Sequence, residues 1–559
     1  MNNLLRNYSW ILLAVLAIFT VATTVAGCVI SFSPVPFWDM WDGYIGFYTN
    51  VQHGDTGYWW AQHNEHRILF ARLLFWTDLH FLGGTTAFLI AFNLLLALSA
   101  SLLFMSIARS ALSQHPPALR YAIFALSLIL CFSWAQNENF NWAFQPQFFA
   151  AQFFPLLSLY LLYRSTKRPA VSNALFLLAA IVGLGCAGTM ANGVLALPLM
   201  ALYAIPLRLG LGRIVFLFLL SAIELFAYFH NYNPVPGHGS LRQALLSQPL
   251  DLLRYVFIYL GSPLYYLTRS DQFAKYAGLF LTVSSFWFAF STLRRWRSEP
   301  LALCLLFYLA YIGATAFGTA GGRLNFGLDQ ALSSRYTTPA IMAWMALLIL
   351  YARQLGKFYV TTWPLQLLLT GALLSIVPLQ KLALMENSTE KQEKMFAALS
   401  LEMDIHDDAA IKHIYPNFQD VQRGAAFARS QDWSIFGNPA LLGVHERIGQ
   451  PLLSPPAELC LGYIDNISSI EGASDYVRVD GWMFSKETGK PPFRIWISDA
   501  GGTIVGFALA GFPRPDVAAV IDRGAGASGF RGYIKASATH QKLLMIGEKP
   551  GCSLTLPSK

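Results

Sequence analysis

Stretches of about 20 apolar residues, the length a helix needs to cross a bilayer, recur between residues 8 and 379 and then stop. Backbone polar groups in hydrocarbon must be satisfied within each segment, so this part of the chain is confined to a bundle of membrane-spanning helices. With 55% hydrophobic and only 13% charged residues and a mean hydropathy of +0.44, the sequence reads as a polytopic membrane protein. The net charge of +8 does not point to nucleic acid. Its Lys and Arg fall in short clusters between apolar stretches, where they mark cytoplasmic ends.

Arg6 precedes the span at 8–30 and places the N-terminus in the cytoplasm. Val25-Ala26-Gly27-Cys28 is similar to a lipoprotein cleavage box, but the apolar core before it is long for a signal peptide, so an uncleaved first helix is expected. Further spans are expected at 84–108, 121–134, 148–163, 173–188, 194–207, 214–229, 276–293, 301–317, 339–351 and 360–379. A crossing at 251–268 would put Arg294-Arg295-Trp296-Arg297 outside. A re-entrant or interfacial helix broken near Gly261-Ser262-Pro263 is therefore expected there. The sum is about eleven spans in a bacterial inner membrane, with the N-terminus cytoplasmic and the C-terminus periplasmic.

The expected domains are 1–380, a transmembrane domain whose outer loop 33–82 carries the active site; 381–457, an extracytoplasmic helical and mixed region; and 458–559, a small β-sandwich. Residues 382–403 space Ala, Leu and Met among Glu and Lys as a helix does. From about Leu459 the period shortens to two, as in Tyr476-Val477-Arg478-Val479 and Phe493-Arg494-Ile495-Trp496, with turns such as Asp499-Ala500-Gly501-Gly502. Cys28, Cys131, Cys186 and Cys304 lie in or beside apolar spans and read as small hydrophobes. Cys460 and Cys552 bracket the β-region and are expected to form a disulfide in an oxidising compartment.

Polar chemistry gathers in the outer loops. Phe37-Trp38-Asp39-Met40-Trp41-Asp42 and His63-Asn64-Glu65-His66-Arg67 place acids, imidazoles and a guanidinium beside a membrane helix, where charge is costly. Asp39 and Asp42, three apart, share a face if helical; the competing reading is an interfacial cap flanked by Trp38 and Trp41. His63, Glu65 and His66 lack the HExxH spacing, and both a divalent ion and plain hydrogen bonding suit them. Arg67 and Arg72 suit either donor phosphate or headgroup snorkelling. Gln136-Asn137-Glu138-Asn139 with Trp142, Gln145 and Gln147 offers amides and rings for sugar, or a solvated loop. Arg323 follows Gly321-Gly322, and Arg335-Tyr336 opens a late span at the level of a lipid phosphate or of an interfacial anchor.

A charged outer loop directly after the first span, ten or so further spans and a soluble outer domain resemble the GT-C membrane glycosyltransferases. That family includes protein O-mannosyltransferases, lipid A aminoarabinose transferases and enzymes that decorate bacterial surface polysaccharide. The resemblance covers residues 1–380, and Trp38-Asp39-Met40-Trp41-Asp42 and His63-Asn64-Glu65-His66-Arg67 are its most specific elements. It implies a polyprenyl-phosphate sugar donor, a catalytic carboxylate at Asp39 or Asp42, and an outer-face acceptor such as O-antigen, lipopolysaccharide or another cell-envelope glycan. Several relatives carry adjacent acids where Asp39 and Asp42 are separated by two residues. On this resemblance Arg67, Arg323, Arg335 and Tyr336 are donor-binding candidates, and His63, Glu65, His66, Gln136, Asn137, Glu138 and Trp142 are substrate-binding candidates. Partners are the lipid-linked donor, the glycan acceptor and membrane lipids; no particular cofactor is fixed, and a divalent metal ion suits His63, Glu65 and His66. Two other readings stand, a polysaccharide polymerase or ligase and a lipid or glycan transporter. The latter sits poorly with spans that hold few charges apart from Glu224.

The β-region, with Val479-Asp480-Gly481-Trp482, Arg514-Pro515-Asp516-Val517 and Ser528-Gly529-Phe530, resembles modules appended to bacterial glycan-handling membrane proteins. Trp482 and Trp496 read either as glycan platforms or as core residues.

Overall fold

The computed structural model describes residues 2–452, 456 and 458–556; the expected junction at 457 and the end of the last domain, 557–559, lie outside the described residues. Two compact units are present, one of Met1–Ile30, Trp59–Leu74 and Phe88–Met385, the other of Ser31–Tyr58, Phe75–Ala87 and Glu386–Lys559. Most of the first inter-span loop therefore belongs to the second unit, and residues 59–68 belong to the first.

The helices that matter below are α1 (Asn2–Ile30), α2 (Leu69–Leu82), α3 (Ser172–Cys186), α4 (Leu211–Phe229), α5 (Pro249–Thr268), α6 (Asp271–Leu293) and α7 (Pro300–Arg323). Among the described residues nine helical stretches are long and apolar enough to cross a membrane, and each coincides with an expected span. The other two expected spans are a 22-residue helix, Pro146–Lys167, with Pro155 inside it, and the shorter apolar stretch Ala191–Ala204. Exposed Ile18, Ile181, Phe226 and Phe286 mark helix faces directed at an apolar surround. Gln380, at the composition change, is buried and ties the unit's ends together. Its amide nitrogen donates to the Thr20 carbonyl and the Thr23 and Thr24 hydroxyls at 3.0–3.1 Å, and its oxygen accepts from the Trp134 N–H at 2.6 Å.

The break expected near Gly261-Ser262-Pro263 does not occur, because α5 is continuous with Pro263 inside it. Packing against α6 explains this. A Cβ on Gly261 would stand 1.8 Å from the Ala274 carbonyl oxygen, and one on Gly278 1.8 Å from the Phe257 oxygen. The two backbones thus touch through glycines, and such close contact sustains a helix that lacks one N–H bond.

In the second unit, helix α8 (Ser388–Glu402) is capped by the Asn387 side chain, which accepts from Glu390 N–H. Helix α9 (Phe418–Ser430) is capped by Asn417 through Asp420 N–H, at the turn signalled by Tyr415-Pro416-Asn417. Strands β1 (Cys460–Ile470), β2 (Ala473–Ser485), β3 (Arg494–Ser498), β4 (Ile504–Phe512), β5 (Gly529–Lys535), β6 (Leu543–Glu548) and β7 (Cys552–Leu556) follow. They form one antiparallel sheet in the order β1-β2-β5-β4-β3-β6-β7. The expected all-β domain is present as a single curled sheet instead of two facing ones. Register shifts at Ile464/Asn466 and Ala510/Phe512 bend the strands, and a bridge from Leu459 to Ser553 brings the two edges together. Val479, Met483, Ile495, Ile497, Ile534 and Met545 fill its interior. Trp496 is a core residue, its Nε1 donating to Glu548 at 2.6 Å, and Trp482 is half-buried against Phe484 and Val517.

The expected Cys460–Cys552 disulfide is present and joins β1 to β7 across 92 residues. Replacing both cysteines by Ala should cost about 2–5 kcal/mol of domain stability. Unfolding followed with and without reductant checks this, and identical midpoints would count against it.

Glu402 is buried at the end of α8 and accepts the His445 N–H at 3.2 Å. Burial pushes its carboxyl up to about 7. Unfolded Glu titrates near 4.3, so between about pH 4.3 and 7 the folded state binds more protons and stability falls as pH rises, by up to about 4 kcal/mol. Glu402→Gln should flatten that slope in full-length protein unfolded at pH 5 and pH 8.

Candidate active-site groups

Beyond α1 the backbone turns at Trp38, which has φ +49°. Trp41 N–H bonds to the Trp38 carbonyl at 2.9 Å and Gly43 N–H to the Asp39 carbonyl at 2.7 Å. A π-helix, Trp41–Gly46, follows; such wide turns are frequent at functional sites. Its Trp41, Tyr44 and Ile45 are buried, which leaves Asp42 exposed and Asp39 half-buried. Tyr44 anchors this turn, donating at 2.7 Å to Asp78, a buried carboxylate that also accepts Thr86 N–H at 3.1 Å.

The acidic pair meets the far end of the sequence. Trp38 N–H bonds to the Ile414 carbonyl at 2.9 Å, and Tyr415 donates its hydroxyl to Asp42 Oδ2 at 2.7 Å. Burial raises the Tyr415 phenol, and its bond to Asp42 with the charges of Asp42, Asp420 and Asp39 raises it further. The phenol therefore remains a donor at neutral pH, and both acids lie within its electrostatic reach. Nothing in the sequence singles out Tyr415, because a pairing 373 residues long leaves no periodic trace.

In the first unit, His63-Asn64-Glu65-His66 forms a tight turn, with His63 and His66 exchanging backbone bonds of 2.7 and 2.9 Å and Asn64 at φ +48°. Glu65 pairs with His238 and accepts from Arg323 Nη2 at 3.2 Å, and Arg323 Nη1 reaches His238 Nε2 at 3.3 Å. Burial raises the Glu65 carboxyl, but neighbouring His66, Arg323 and His238 hold it below the usual carboxylate range. His66 Nδ1 accepts Ala191 N–H at 3.2 Å, while the His63 ring packs on Phe144. The divalent metal expected at His63, Glu65 and His66 stays open. Their side chains turn to separate partners, and among the described residues no group of three or more His, Cys, Asp or Glu is placed to hold an ion. His238, in a Pro/Gly-rich loop, escaped the sequence reading.

Arg67 is a helix cap. Its Nε donates to the Tyr228 carbonyl at 2.8 Å, Nη2 to that of His230 at 2.7 Å and Nη1 to that of Trp60 at 2.5 Å. It thereby satisfies carbonyls at the end of α4, and the donor-phosphate expectation for Arg67 gives way to this. Arg72 is likewise buried and donates to the Ala61 and Trp59 carbonyls.

Residues 134–142 and 333–338 are knitted together. The Ser334 hydroxyl bonds to Asn137 Oδ1 at 2.6 Å and the Ala135 carbonyl at 2.9 Å, and Asn139 Nδ2 bonds to Thr338 at 2.7 Å. Gln136 is buried, donating to the Cys131 carbonyl and accepting from Thr338, so its expected sugar contact is replaced by a role inside the fold. Asn137 is similarly engaged, while Trp142 is half-buried against Phe144. Glu138 and Arg335 form an ion pair at 3.5 Å, with side chains 31% and 29% exposed. That exposure leaves the guanidinium reachable by an anion. Tyr336 is buried on Tyr259.

Three groups are thus available. Asp39 and Asp42 with Tyr415 can take a proton, and the two Arg–Glu pairs, Arg323–Glu65 and Arg335–Glu138, can meet a phosphate. No family model matches the chain, and no curated protein matches it. Among solved structures it is similar to the crystal structure of an Archaeoglobus fulgidus oligosaccharyltransferase in complex with zinc and sulfate. The likeness has 12% identity and a TM-score of 0.41, over 74% of this chain and 58% of that one.

Proposed function

We propose that this chain is a GT-C-type membrane glycosyltransferase that moves one sugar from a polyprenyl-phosphate donor to an acceptor outside the cytoplasm. Acceptors of the fitting kind are O-antigen or another cell-envelope glycan. The reading is supported most by the 2.7 Å bond from Tyr415 to Asp42, which holds an exposed carboxylate beside Asp39 just after the first span. In this reading the protein sits in a bacterial inner membrane, with residues 33–82 and the C-terminal domain on the periplasmic side.

The reaction forms a bond from an acceptor hydroxyl oxygen to the anomeric carbon and breaks the bond from that carbon to phosphate. The hydroxyl proton passes to Asp39 or Asp42, Tyr415 fixing one oxygen of Asp42 so that the other faces the acceptor. The electron pair leaves with the phosphate, and Arg335 and Arg323 are the cations offered to the phosphate in donor binding. Glu138 and Glu65 hold those guanidiniums in place before the donor arrives.

Arg335→Ala, assayed in lipid with a polyprenyl-phosphate sugar, should raise the donor KM by about 10-fold or more, the loss of one charge-assisted bond. Its kcat should change far less. An unchanged donor KM would remove Arg335 from the donor site.

A further inference from the structure

Among the described residues, an apolar groove of about 400 Å³ lies between α2, α3, α4 and the helix Pro146–Lys167, lined by Phe70, Leu73, Phe154, Ile181 and Leu184. This volume falls within the ~300–1,000 Å³ of small-molecule sites. Leu73, Ile181 and Leu184 are 52%, 66% and 44% exposed, so its rim opens sideways along two stretches apolar enough to span a membrane, Pro169–Cys186 and Leu211–Phe229.

One carboxyl interrupts the lining. Glu224 of α4 is 3% exposed and faces the groove, and among the described residues no group hydrogen-bonds either of its oxygens. A buried polar group without a partner is costly, and inside a span it marks a functional site. Glu224 lies about 8 Å from the C-terminal end of α4, from a rise of about 1.5 Å per residue. That places it within the α4 stretch, short of its end.

We propose that this groove binds a glycerolipid, with an acyl chain along Phe70, Leu73, Ile181 and Leu184 and a glycerol hydroxyl hydrogen-bonded to Glu224. The occupant is uncharged at that level, because none of the lining residues is Arg, Lys or His and a phosphate beside a carboxyl would be repelled. An isoprenoid chain offers no oxygen there and leaves Glu224 unsatisfied. The site stands independently of the transfer reaction.

The test is photolabelling of full-length protein in lipid nanodiscs with a monoacylglycerol bearing a diazirine on its acyl chain. Label should concentrate on residues 69–73 and 181–188. Glu224→Leu should lower it about fivefold, the value of one hydrogen bond, and Glu224→Gln should hold it within about twofold. Leu184→Trp, which fills the rim and leaves Glu224 intact, should block labelling. Label spread evenly over exposed faces such as α6, or full labelling of Glu224→Leu, overturns the site. So does displacement of the label by polyprenyl phosphate but not by unlabelled glycerolipid.

Discussion

Asp39→Asn and Asp42→Asn should each lower sugar transfer while leaving the protein folded and inserted. Asn keeps the size and most hydrogen-bonding shape of Asp and deletes only the charge. The acid that takes the acceptor proton should lose about 10²-fold or more in kcat, and its neighbour a similar or smaller factor. Donor KM should stay nearly constant, in contrast to Arg335→Ala. Tyr415→Phe separates positioning from proton transfer. The phenol is a positioning group, so its loss should free Asp42 from its 2.7 Å bond, lower kcat by less than loss of the carboxylate does and leave donor KM unchanged. Wild-type transfer by both Asn variants would return the acidic pair to an interfacial cap.

The spans were legible because apolar runs of bilayer length leave few alternatives, and the β-region because period-two alternation in 476–479 and 493–496 has no helical reading. Cys460 and Cys552 were legible as a pair because the other four cysteines sit in apolar spans. The site was harder. Asp39 and Asp42 announced themselves as charge at a membrane boundary, yet their link to Tyr415 depends on contact across most of the chain. Arg67 shows the opposite failure. A guanidinium near a membrane surface looks the same in sequence whether it meets phosphate or caps a helix, and only the carbonyls of Tyr228 and His230 decide between them. Gly261-Ser262-Pro263 misled because the glycine that suggests a break instead supplies the contact that holds α5 against α6.

Asp407→Ala should destabilise the C-terminal domain by about 3–5 kcal/mol, the cost of breaking a buried ion pair by removing one partner. This is a large part of a domain's usual ~5–15 kcal/mol. The Asp407 carboxylate is fully buried. It pairs with both Nε and Nη2 of Arg478, with Nε at 2.6 Å, and accepts the Tyr533 hydroxyl at 2.7 Å and Ala410 N–H at 3.0 Å. Burial raises its carboxyl, and these donors more than offset that and hold it below the usual range. A depressed carboxylate stabilises the fold fully above its unfolded value near 3.9, and that stability is lost as pH falls through the lower folded value. Asp407→Ala protein should therefore lose the part of acid unfolding that lies below about pH 4. Chemical unfolding at pH 7, followed by hydrogen exchange in β2 and β5, measures the loss. A change under about 1 kcal/mol would show that the network is replaceable.

Sugar transfer from a lipid-linked donor can be followed directly. Purified protein in nanodiscs, given polyprenyl-phosphate sugar carrying a radiolabelled hexose and a cell-envelope glycan acceptor, is the direct measurement. Label should move to the acceptor with release of one polyprenyl phosphate per sugar, and should not move with the Asp39→Asn, Asp42→Asn double variant. Label that stays on the donor across a panel of donors and acceptors, with folded wild-type protein, would contradict it.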